Sequence, residues 1–116
     1  MKKTLKDIFK EQKDFQKKFY DIDNMSKEEK VNYSKEFILC AHRELGEALN
    51  LLPWKSYRKL KEKEIELEKL KEELIDSFKF LLNLCLIWGM NEEEFKKLFF
   101  KKSEIVRKRY KDEFNK

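Results

Sequence analysis

Two glycines and a single proline among 116 residues leave this chain few places to turn sharply. Glycine supplies the positive φ of tight turns and proline interrupts helices, so their scarcity favours long helices over a turn-rich sheet. Lys, Glu, Leu and Phe dominate what remains, and no alternating strand pattern competes. Charged residues make up 44% of the chain, but ten phenylalanines supply large apolar surfaces for a core, which argues against disorder. A chain this short buries a modest share of its surface, so the expectation is one all-α domain over residues 1–116 that is completed by a second copy.

Four helices follow from the periodicity. Over residues 4–20, Leu5, Ile8, Phe9, Gln12, Phe15 and Phe19 recur at helical spacing, with lysines and Asp14 on the other side. The segment 21–25 breaks that pattern, and Ser26 with Glu29 three residues later reads as a capping box that opens a second helix. That helix runs to about Leu52, where Pro53 ends it, and residues 53–59 form a connection. Residues 60–75 are rich in Glu, Lys and Leu without a breaker, and residues 78–88 are apolar on nearly every face, so the third helix passes from exposed to buried. Gly89 suits a left-handed C-cap, Asn91 and Glu94 repeat the capping pattern, and Phe95, Leu98, Phe99, Ile105 and Val106 mark a fourth helix. The result is a four-helix, bundle-like domain with an oligomeric interface.

The charge excludes little. With 28 basic and 23 acidic residues the net charge is +5, mixed along the chain, which does not favour a nucleic-acid partner. The apolar run 78–90 is interrupted by Lys79 and Asn83 and is too short to span a bilayer, which needs about 20 residues, so no membrane partner is expected. Cys40 and Cys85 sit in apolar helical runs without metal-ligand spacing and no secretory signal is visible, which suggests packed, reduced thiols in a cytoplasmic protein. His42, the only histidine, lies two residues before Glu44 and so points to a different helical face, a structural position.

Two acidic pairs carry the chemistry. Glu44 and Glu47 are three apart on the second helix, Glu73 and Asp76 three apart on the third, so each pair projects from one face. The flanks are apolar: Leu39, Ala41, Leu45 and Ala48 beside the first pair, Leu74, Ile75, Phe78 and Phe80 beside the second. If these stripes pack the helices together, four carboxylates converge. An oxygen-only ligand set suits magnesium, or manganese, better than zinc. Magnesium bridges readily to phosphate, so a phosphorylated substrate is its natural companion. The same spacing also fits solvent-facing acids on two charged helices.

The series Glu44-Leu45-Gly46-Glu47, Trp54-Lys55-Ser56-Tyr57-Arg58 and Glu73-Leu74-Ile75-Asp76 resembles the motif series of the dimeric, all-α dUTPases, within the all-α nucleoside triphosphate pyrophosphatase superfamily that includes the MazG proteins. The resemblance extends from Gln12 to Arg109 and implies conversion of dUTP to dUMP and pyrophosphate. By it, Glu44, Glu47, Glu73 and Asp76 ligate magnesium, and Glu44 deprotonates the attacking water. It further implies that Trp54 and Gln12 meet the base, that Lys55 and Arg58 contact phosphates, and that Lys102 and Arg109 do so from a closing segment. The chain departs from the family pattern at Lys79, where a histidine is often found, and at Ser103 and Val106, where asparagines are common. Those departures bear on base and sugar specificity, so dCTP or another deoxynucleoside triphosphate stays an alternative substrate. The bland alternatives are a plug for Trp54, a boundary polar residue for Gln12 and solvated charges for Lys55 and Arg58. A non-enzymatic helical module, pairing through Leu60, Leu67, Leu70 and Leu74, is the alternative of a different class, although this series is no sustained heptad. Assembly is expected as a dimer or tetramer, with Trp88 in the core or at its interface.

Overall fold

Capping decides where the chain enters its helices. The computed structural model describes residues 2–54 and 65–114, with the order α1 Leu5–Gln16, a 3-10 turn at Ile22–Asn24, α2 Lys27–Asn50, α3 Leu67–Ile87 and α4 Glu92–Phe114. Ser26 and Glu29 form the expected reciprocal box: the Glu29 N–H donates to Ser26 Oγ at 3.1 Å, and the Ser26 N–H donates to the Glu29 carboxylate. Thr4 and Asp7 make a second box at α1 that the sequence reading passed over. Each satisfies backbone donors left over in a first turn and is worth about 1 kcal/mol. Gly89 takes φ 77 just beyond α3, and Asn91 Oδ1 accepts from the Glu94 N–H to start α4.

Helix ends differ from the sequence expectation in two places. α1 stops at Gln16 because the chain turns there, with the Phe19 and Tyr20 N–H groups returning to the Gln16 carbonyl. α3 begins at Leu67, while Ile65 and Glu66 are not helical; residues 60–64 of the expected helix lie outside the described residues.

α2 packs along α3 in antiparallel sense. Ser34 Oγ accepts from Trp88 Nε1 at 2.8 Å, Phe37 meets Phe80 at 6.2 Å between ring centroids, and Glu44 faces Glu73, so numbers rise on one helix as they fall on the other. Near the C-terminal end of α3, Phe9, Ile22, Leu86 and Ile87 form the buried core, joined by Tyr20, Tyr33, Phe37 and Phe95. Burial pushes the Tyr20 hydroxyl up to about 12, with Tyr33 adding to it. Phe9 meets Phe95 edge-on and ties α1 to α4.

The apolar stripes are wider than this core. Phe15 and Phe19, placed on the inner face by periodicity, stay exposed, because α1 turns Phe9, Gln12 and Gln16 inward instead. Cys40 and Cys85 are half-buried rather than packed in the core, and Trp88 is half exposed. Ile38, Leu39, Leu45 and Leu49 of α2, with Leu74, Ile75, Phe78 and Leu81 of α3, also face outward. Together they leave considerable apolar surface exposed on both helices. No helix among the described residues is long and apolar enough to cross a membrane.

Candidate metal centre

The inner face of α2 repeats Ala41, Glu44, Ala48, its three buried residues. Alanines one turn before and after Glu44 let α3 approach closely, and the longer Glu44 side chain is thereby enclosed between the helices. Glu47 lies about 60° round the helix from Glu44 and stays exposed at the rim. On α3, Glu73 faces them, and Ser77 one turn later is buried with its Oγ donating to the Glu73 carbonyl at 2.9 Å.

Oxygens of Glu44, Glu47 and Glu73 all lie within 4.8 Å of one another. Glu73 Oε2 is buried and has no hydrogen-bond partner, the one such side-chain atom among the described residues. Ionised carboxylates only accept hydrogen bonds, so facing carboxylates satisfy each other only when they share a proton or a cation. The protonation pattern reflects this. Glu73 is pushed up to about 7 by the facing Glu44 carboxyl, by burial and by Glu47. Glu44 is held below the ordinary carboxylate range by the facing Glu73 carboxyl and by Arg43, whose guanidinium stands 3.2 Å from Oε1. Of the two, Glu73 is therefore the carboxyl that takes up a proton first. An orphaned buried oxygen and three converging hard donors fit a divalent cation of the magnesium type.

The other candidates are more scattered. Asp76, one turn beyond Glu73, is exposed and outside the group of three. Trp54 is half exposed just after Pro53, and Lys55 and Arg58 lie outside the described residues. Lys102 and Arg109 are exposed on α4, and Lys102 lines an open groove of about 600 Å³ with Cys85, Met90, Phe95, Phe99 and Val106. No ion pair joins either cation to the carboxylates among the described residues. Gln12 is buried, and its Nε2 donates to Asn83 Oδ1 at 2.7 Å. Sequence reasoning missed two partners. Arg43 is indistinguishable in sequence from any solvated arginine, whereas Asn83 had a signal, a lone amide inside an apolar helical run.

A family model described as dUTPase matches residues 4–114, a span that takes in all four helices and every carboxylate of the cluster. The chain belongs to this dUTPase family. Membership makes it a hydrolase acting on a nucleoside triphosphate, and the helical architecture, without strands among the described residues, agrees with the all-α dUTPase fold. Among curated proteins and among solved structures, none matches the chain at a significant level. Enzymes of the dUTPase family generally use magnesium, which the donor set of this cluster suits.

Proposed function

We propose that the chain cleaves dUTP to dUMP and pyrophosphate at the Glu44, Glu47, Glu73 cluster, with Asp76 completing the ligand set. The observation that carries this reading is the buried, unpartnered Glu73 oxygen facing two further carboxylates in a chain of the dUTPase family. Magnesium, or manganese in its place, would be held by these acids and would supply charge neutralisation and alignment of the triphosphate.

The protein's own groups divide the remaining work. Glu73 gives up its proton so that all the carboxylates present charge to the cation. Glu44, with the Arg43 guanidinium 3.2 Å from its carboxylate, accepts the proton of the attacking water. Water adds across the anhydride between the α and β phosphates, the bridging P–O bond breaks, and pyrophosphate leaves. Lys102 and Arg109 of α4, with Lys55 and Arg58, neutralise phosphate charge. Trp54 covers the base, and Gln12 reads the pyrimidine edge through one donor and one acceptor. The exposed apolar faces of α2 and α3 are covered by a second copy in a homodimer.

The test is pyrophosphate release by purified protein from each deoxynucleoside triphosphate, with and without magnesium. Magnesium-dependent turnover of dUTP is expected, with at least about a hundredfold loss in Glu47→Gln, whose exposed position leaves folding intact. Absence of turnover on every nucleotide would refute the proposal.

A further inference from the structure

Asn83 is the odd residue of α3, an amide only 3% exposed inside an otherwise apolar run. It stands ten residues beyond Glu73 on the stripe Glu73, Asp76, Phe80, Asn83, about 15 Å along the helix at 1.5 Å per residue. One face of α3 therefore carries acids at one end and an amide at the other, a separation of the order of an extended nucleoside triphosphate. Gln12 meets Asn83 there from α1, its Nε2 donating to Asn83 Oδ1 at 2.7 Å with both side chains buried.

We propose that Asn83 sets the base preference of the site by fixing which way round the Gln12 amide stands. The inference rests on the reading of Gln12 as the group that meets the base edge. A primary amide can be turned over about its last bond, exchanging oxygen for nitrogen at little steric cost. Uracil offers N3–H as a donor beside O4 as an acceptor, and cytosine offers N3 as an acceptor beside the N4 amino donor. One amide orientation matches the first edge and the flipped orientation matches the second. With Asn83 Oδ1 accepting from Nε2 at 2.7 Å, the nitrogen stands on the Asn83 side and one Nε2 hydrogen and Oε1 are left for a ligand in that order, which reverses only if both amides turn over together. With that acceptor gone, both orientations become available and the two bases become harder to tell apart. Asn83 is thus a positioning residue that acts through Gln12.

The experiment compares kcat/KM for dUTP and dCTP in the wild type, Asn83→Leu, Asn83→Asp and Gln12→Ala. Asn83→Leu keeps the heavy-atom count and branching and removes the acceptor. It is expected to narrow the preference for dUTP about tenfold, the worth of one oriented hydrogen bond, chiefly through KM. Asn83→Asp keeps an acceptor toward Gln12 and restores the preference, which a merely structural role for Asn83 would not predict. Where Asn83→Leu does not fold, Asn83→Ser, too short to reach Gln12, carries the same expectation. Gln12→Ala separates the two levels. If it narrows the preference while the Asn83 variants leave it unchanged, the role of Asn83 is overturned and that of Gln12 stands; if Gln12→Ala leaves the preference unchanged, the underlying reading falls with it.

Discussion

Magnesium added to the metal-free protein should expel a proton, in an amount that the Glu73 environment fixes. Glu73 holds that proton with a value of about 7 because the Glu44 carboxyl faces it, burial disfavours its charge and Glu47 repels it. A cation needs the carboxylate ionised, so binding competes with the proton. The protonated fraction, and hence the release per cation bound, is about 0.9 at pH 6, about 0.5 at pH 7 and about 0.1 at pH 8. Affinity should accordingly weaken about fivefold from pH 7 to pH 6, approaching tenfold per unit below that. Calorimetric titration with magnesium chloride in two buffers of different ionisation enthalpy measures the release from the change in apparent binding heat. Glu73→Gln should bind more weakly and release almost nothing at any of these pH values. Binding without proton release at pH 6, or with the same release at pH 6 and pH 8, would refute the shared-proton account of the cluster.

Three further outcomes are expected. Since the folded value of Glu73 lies above its ordinary 4.5, the folded state holds the extra proton between the two values, so metal-free stability should fall as pH rises from about 4.5 to about 7. Melting curves across that range check the sign, and Glu73→Gln should flatten the dependence. Introducing charge on the outward apolar face with Phe78→Glu should convert a dimer to monomer in sedimentation without changing helix content, because Phe78 is 65% exposed in the single chain. Gly89→Ala should cost about 1 kcal/mol in denaturant unfolding, since φ 77 is strained for an L side chain although a Cβ there meets nothing within 4 Å.

Helix number and capping were legible because they depend on neighbours in sequence: Ser26 with Glu29, Pro53 after Leu52 and Gly89 after the apolar run act within one turn. Which part of an apolar stripe becomes buried was less legible. That choice depends on how many partners surround a helix, and Phe15 and Phe78 stay largely exposed among the described residues. At the site, spacing put Glu44 and Glu47 on one face of α2 and Glu73 on one face of α3, whose oxygens lie within 4.8 Å of one another, and the small residues Ala41 and Ala48 explain how closely the helices meet. Spacing alone did not separate Asp76, which shares the stripe but stays in solvent, from the three acids that converge. Gln12 and Asn83 are 71 residues apart, so their hydrogen bond arises only once α1 and α3 have docked.

The most direct measurement is anomalous diffraction from crystals of the protein soaked in manganese, with data on both sides of the metal absorption edge. One strong peak at ligand distance from oxygens of Glu44, Glu47 and Glu73 is predicted, absent from crystals of Glu73→Gln grown alike. Manganese bound elsewhere, with these carboxylates left facing one another and no cation between them, would contradict the account.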